Sequence, residues 1–394
     1  MNFKELAKSI QPQLVEWRRD FHMHPEVSFH EFRTSQVIKD FLKSEGIEIL
    51  PVDSGTSVVG LIRGGKEGKT FAMRADFDAL PMQEEHDVPY KSQNDGVMHS
   101  CGHDTHAAML MGVAKVLNSV KDDLHGNVKL IFQAAEEMLP GGAKPLVEAG
   151  ALENPKVDAI MAFHIGTGLE TGKVGFKPGA SQAAPDKLTV KITGLGGHGA
   201  YPHRTIDPVA IAGNFITTVQ NIVSRSIDPI DSAVVTIGSI HGGTKDNIIA
   251  DDVVMTGTIR TLKPETRELV HKRIRDICRG LEEAFMCKID VDILLGYPAV
   301  INDAEFIEKY AVPAANKIVG EENVVILPLP TMGGEDMSYF LQKVPGVIGS
   351  LGARNEAKGC TVGGHNSMFD VDEDAFWVGT ATLCQAAWDY LNEK

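Results

Sequence analysis

Cysteine is scarce: five residues in 394, at positions 101, 278, 287, 360 and 384. They are odd in number and share no spacing, so no disulfide framework is expected and a reducing, cytoplasmic compartment is implied. No apolar run approaches the roughly 20 residues that a membrane-spanning helix needs. The opening stretch MNFKELAKSIQPQLVEWRRDFHMHPE has the periodicity of an amphipathic helix and lacks the apolar core of a signal peptide. Positive charge is also short. With 38 Lys and Arg against 53 Asp and Glu, the formal net charge is −15, which argues against nucleic acid and anionic membrane surfaces as partners. There is no internal repeat and no low-complexity segment. What remains is an ordinary globular composition, 43% apolar and 23% charged, on a chain too long for a single core.

The first part of the chain alternates short apolar strands with helices. TFAMRADFD (70–78), NVKLIFQAAEE (127–137) and VDAIMAFH (157–164) read as strands, and residues 104–120 and 141–150 as helices. This is the texture of an α/β domain with a mostly parallel sheet covered on both faces. Asp76, Asp78, Glu136, Glu137 and His164 are expected at the C-terminal strand ends, the edge where open α/β sheets bind ligands. From 185 to 296 the strands alternate apolar and polar residues in the order β-α-β-β-α-β, a smaller α+β domain inserted into the first. The expected division is 1–184 with 297–394 for the catalytic domain and 185–296 for the insertion.

MHSCGHDTHAAML (98–110) concentrates Cys101, His103, Asp104 and His106. Cys101 and His103 are too close for a zinc finger, and no second CxxC or HxxxH pair exists. Glu137, His164 and His365 can complete a mixed sulfur, nitrogen and oxygen ligand set, which suits an open catalytic site better than a closed structural one. Adjacent Glu136 and Glu137 allow one carboxylate to bind metal while the other takes a proton, although spacing leaves open which does which. GLGGHG (194–199) formally matches a dinucleotide-binding loop. The next helix starts too late, no acid stands near 219, and the preceding strand alternates, so that reading fails. His22, His24, His30, His86, His125, His203, His241 and His271 read as structural or surface residues, and Cys278 as core.

The stretches RRDFHMHPEVSFHE, MRADFDALPMQE, MHSCGHDTHAAML, FQAAEE, GGHGAYPH, GTIRT, GGEDMSYF and HNSMFDVDED run in order from 18 to 374. In these the chain resembles the M20 family of metallopeptidases and amidohydrolases, above all its N-acyl-amino-acid amidohydrolase branch, with the hippurate and auxin-conjugate hydrolases. The resemblance implies two divalent ions held by Cys101, His103, Glu137, His164 and His365, with Glu136 as general base to a metal-bound hydroxide. It implies an inserted domain that acts as lid and dimer interface, where His198 polarises the scissile carbonyl and Asn247 and Arg260 face the substrate. Where other branches place a ligand histidine this chain has Asp76, so Asp76, Asp78, Asp104 and His106 are expected behind the ligands, with helix capping a competing role for Asp104. Zinc, manganese, cobalt and nickel all suit this donor set. The implied substrates are N-acyl amino acids or short peptides with a free carboxylate. A broader di- or oligopeptidase and a non-catalytic metal-binding protein are the rival readings. HNSMF lacks a proline often found after the ligand histidine, and Ala250 stands where proline is usual; both bear on the substrate loops.

Overall fold

The computed structural model describes residues 1–53 and 55–393. The chain divides into two compact units, one of residues 1–179, 301–329 and 336–394, the other of residues 180–300 and 330–335. No helix among the described residues is long and apolar enough to cross a membrane, and all five cysteines are free.

The larger unit is built on an eight-stranded sheet. Its order is Glu48–Ile49, Val58–Arg63, His125–Gln133, Lys66–Asp76, Ala159–Glu170, Gly346–Arg354, Val174–Phe176 and Val324–Ile326. The central three pairings are parallel, and antiparallel pairings appear towards the edges. Central strands such as Phe71, Ala72 and Met73 are buried on both faces, because helices cover the sheet above and below. The helix His103–Ser119 is among the most enclosed, with His103, Asp104, Thr105 and His106 in its first turn all buried. Buried polar groups need partners, so this turn has to be served by the protein around it.

Three expectations about element ends change. The strand before the paired glutamates stops at Gln133, so Glu136 and Glu137 lie in the turn beyond it. The strand carrying His164 continues to Glu170, which places that histidine inside the strand. Asp76 does end its strand, with Asp78 just past it. The N-terminal stretch is two helices, Phe3–Ser9 and Gln11–Met23, because Pro12 has no N–H to continue the ladder of the first.

The smaller unit has a four-stranded antiparallel sheet in the order Ala233–Gly242, Asp252–Thr261, Ala184–Thr193 and Lys288–Leu294. The helices Pro208–Asn221 and Pro264–Phe285 share its core with Leu188, Val190, Ile192 and Met255. Asp207 caps the first helix by accepting the amides of Val209 and Ala210, and Pro208 occupies the first turn where no donor is needed.

One buried ion network fixes the start of the helix His103–Ser119. Arg18 is fully buried and donates from Nε to Asp104 Oδ2 (2.9 Å) and from Nη2 to Asp370 Oδ1 (2.9 Å). His22 Nδ1 lies 2.7 Å from the same Asp104 oxygen. Burial alone would raise the Asp104 carboxyl, but Arg18 and His22 outweigh it and hold the group far below the usual carboxylate range. Removing the cation strands two buried carboxylates. Arg18→Ala should therefore cost about 3–5 kcal/mol in a denaturant titration. A loss of only about 1 kcal/mol, the size typical of exposed pairs, would show that water replaces the guanidinium.

Candidate metal centre

Cys101 and His103 flank Gly102, which stands at the N-cap of the helix His103–Ser119 in a left-handed conformation (φ 89°). A Cβ there would come within 2.6 Å of Ile165 Cγ2, so the turn needs glycine for both its conformation and its clearance. The tight turn sets Cys101 Sγ 3.5 Å from His164 Nε2. His164 Nδ1 lies 2.8 Å from the carbonyl oxygen of Ile165. A proton on Nδ1 donated to that carbonyl leaves the Nε2 lone pair facing the thiol.

Asp78 orients two more candidate ligands. Its Oδ1 lies 3.2 Å from His103 Nδ1, and its Oδ2 accepts the Glu137 amide at 3.0 Å and the Ser28 hydroxyl at 2.6 Å. His103 Nε2 and Glu137 Oε1 are buried, and neither has a hydrogen-bond partner. Glu137 Oε1 lies 3.2 Å from His365 Nε2, outside hydrogen-bond alignment. His365 is half exposed on a loop, with φ 60° and its amide donated to the Ser100 carbonyl at 2.7 Å.

These groups form overlapping triads. The donor atoms of Cys101, His103 and His164 lie within 4.8 Å of one another, as do those of Cys101, Glu137 and His365, and those of His103, Glu136 and Glu137. The residues fit divalent metal. Two orphaned buried donor atoms point into the cluster, where an unpaired polar group would otherwise be costly. Burial pushes the Cys101 thiol up to about 12, so only a cation would make it a thiolate ligand. Burial drives His164 down to about 3 and keeps it neutral with a lone pair to give.

His106 takes a different part. Its Nδ1 is bonded to Asp76 Oδ1, and its Nε2 accepts the Ile165 amide at 2.9 Å. Both nitrogens are occupied, so it supports the strand that bears His164 and has no lone pair left for a metal. Asp76 is held in turn by Arg74 Nη1 (2.7 Å), and Arg74 Nη2 reaches Asp336 Oδ1 (2.7 Å). Asp104 is turned away, towards Arg18 and His22. The N-cap residue is Gly102, and Asp104 Oδ1 accepts the first-turn amide of Thr105 at 3.0 Å.

Several members of this surround were passed over in sequence. Arg74 had a visible signal, a charge two residues before Asp76 and so on the same strand face. Asp336, Arg18 and Ser28 lie within the motif stretches GGEDMSYF and RRDFHMHPEVSFHE but have no role by spacing.

In the smaller unit, His198 sits on a short strand pair, Gly197–His198 with Ile248–Ile249. The carbonyl of Asn247 accepts the Gly199 amide at 2.9 Å, which brings the Asn247 and His198 loops together. Arg260 lies on the strand Asp252–Thr261, part-buried, bonded to Thr258 Oγ1 and the Ile259 carbonyl. No carboxylate forms an ion pair with it among the described residues.

A model of peptidase family M20/M25/M40 matches residues 72–389. The chain is 41% identical over 393 residues to thermostable carboxypeptidase 2 of Saccharolobus solfataricus, covering 99% of this chain and 98% of that one. It is 38% identical over 386 residues to N-acetyl-L-cysteine deacetylase of Bacillus subtilis, covering 98% and 90%. The crystal structure of a dinuclear metal binding peptidase of the M20 family from Bacillus subtilis superposes with a TM-score of 0.85 at 34% identity, covering 98% and 99%.

Two measurements check the ligand geometry. Cys101→Ala should lower the metal content found by elemental analysis, and an unchanged stoichiometry would remove Cys101 from the ligand set. Asp78→Ala, which deletes no ligand, should weaken metal affinity about 10–100-fold in competition with a chelator.

Proposed function

The chain belongs to peptidase family M20/M25/M40, and on that premise we propose that this metal-dependent amide hydrolase acts on N-acyl amino acids, with Glu136 as general base. Cys101, His103, Glu137, His164 and His365 would hold two divalent ions, of zinc, manganese, cobalt or nickel. The observation that carries the reading is the grouping of His103, Glu136 and Glu137, three donors within 4.8 Å. Two neighbouring carboxylates there can divide the work, with Glu137 tied by its amide to Asp78 and directed at the ligands.

When bound, the ions supply Lewis acidity towards the amide carbonyl and acidify an attacking water. Glu136, 7% exposed, then takes the proton of the attacking water and returns it to the departing nitrogen. In the smaller unit the Ala200 amide donates to His198 Nδ1 at 3.1 Å, which leaves Nε2 to carry the proton. An Nε2–H is the donor needed to stabilise a developing oxyanion. Arg260, a part-buried guanidinium lacking a carboxylate partner among the described residues, suits the free carboxylate of the substrate, with Asn247 lining the same domain's substrate face.

A peptide with a free C-terminal carboxylate is the second reading, favoured by the carboxypeptidase similarity, and it uses the same residues. We place the protein in the cytoplasm, in keeping with five free cysteines. We also take it to be a homodimer formed through the smaller unit, where Leu195, Val209, Ile230 and Ile240 are exposed.

Glu136→Gln should keep its metals while kcat for release of free amino acid from N-acetyl substrates falls about 10²–10⁴-fold. Near-normal turnover would sink the role of Glu136. Arg260→Ala should raise KM for N-acyl amino acids and leave the corresponding carboxamides unaffected; equal effects on both would exclude a carboxylate contact.

A further inference from the structure

HMHPEVSFHE carries two glutamates outside the site described above. Glu26 acts locally, accepting the amides of Arg33 (2.9 Å) and Thr34 (2.8 Å) at the start of the helix Phe32–Ser44. Glu31 stands at the N-cap of that helix, yet its side chain makes no cap. Its carboxylate is buried and directed elsewhere. Oε1 accepts the Ala135 amide at 2.8 Å across 104 residues of sequence, and Oε2 accepts the Thr56 hydroxyl at 2.7 Å.

Ala135 immediately precedes Glu136, and it lies in the left-handed region with φ 55°. A residue with a Cβ holds that conformation only when its surroundings impose it. Here they do. Ser57 Oγ accepts the Ala134 amide (3.0 Å), Glu31 the Ala135 amide, and Asp78 the Glu137 amide (3.0 Å), while the Ala135 carbonyl accepts from Gly142 (2.9 Å). Glu137 thus has its own anchor in Asp78, whereas the backbone that leads into Glu136 is held through Ala135.

We propose that Glu31 is a positioning residue for the hydrolase: its carboxylate holds Ala135 left-handed and so sets the direction of Glu136 in the turn beyond the strand. The proposal rests on the reading of Glu136 as general base. It separates base from ligand, because loss of the Glu31 clamp redirects Glu136 and leaves the Asp78–Glu137 anchor intact.

The test uses the full-length, metal-loaded protein. In Glu31→Gln the amide oxygen can accept from Ala135 and the amide nitrogen can donate to Thr56, so kcat should stay within about threefold of wild type. Glu31→Ala should lower kcat about 10–100-fold, with KM and metal content unchanged. Adding Ala135→Gly, which adopts positive φ without steric cost, should recover about tenfold of that loss, a rescue that a general packing defect would not show. If Glu31→Ala does not fold, Glu31→Met fills the same volume without an acceptor and should behave as the alanine variant does. The proposal is overturned if metal is lost along with activity, if glutamine is as damaging as alanine, or if the glycine gives no recovery. If the wild type hydrolyses no N-acyl amino acid or peptide, the functional reading falls, and crystal structures decide this one. Ala135 leaving the left-handed region in the Glu31 variant supports it, and Ala135 keeping φ near 55° refutes it.

Discussion

The Asp78 carboxylate is the constraint on which the metal centre depends. It is buried and serves three partners at once: the ring of His103, the amide of Glu137 and the hydroxyl of Ser28. A carboxylate taken out of water is expensive unless its lone pairs are filled, and here each bond that stabilises the charge also fixes a proposed metal ligand or the loop beside it. The His103 ring cannot turn without breaking the bond at Nδ1, and the Glu137 main chain cannot shift without losing its acceptor. Two of the proposed ligands, one from a helix and one from a turn, are thereby referred to a single side chain just past the end of the strand Lys66–Asp76.

The rest of the surround follows the same logic at greater range. Arg74 links Asp76 to Asp336, Arg18 links Asp104 to Asp370, and Glu31 links Ala135 to Thr56. These contacts join distant parts of the chain, so the reacting groups are held by the tertiary fold, with little left to local preference. The residues of the smaller unit proposed to meet substrate are set differently. The His198 ring accepts an amide from its own loop, and Arg260 bonds within its own strand.

Much of this was readable before any coordinates, and the reason is physical. Periodicity reports which faces are buried, so the α/β texture of the larger unit and the β-α-β-β-α-β order of the smaller one were visible in the residues. The concentration of Cys101, His103 and His106 was visible because such side chains rarely crowd together without a task. Strand ends were less legible, since Ala134 and Ala135 continue past the last ladder bond without a break in polarity, and His164 looks terminal because Gly166 and Gly168 follow it. Arg18, Glu31 and Ser28 could not have been found by spacing. Their partners lie 86, 104 and 50 residues away, and nothing in a local pattern encodes a pairing that only the finished fold creates.

The bond from the Ile165 amide to His106 gives the sheet an unusual geometry. The strands Lys66–Asp76 and Ala159–Glu170 are paired only from Phe71 with Ala159 to Arg74 with Ala162. Beyond that the ladder ends, and Ile165 offers its amide to an imidazole where a neighbouring strand would have supplied a carbonyl. The ring is a wedge in a forked sheet, seated on Asp76 on one side and on the Ile165 amide on the other. The separation of Asp76 from Ile165 at this fork is therefore set by the covalent dimensions of a ring rather than by the softer packing of a loop.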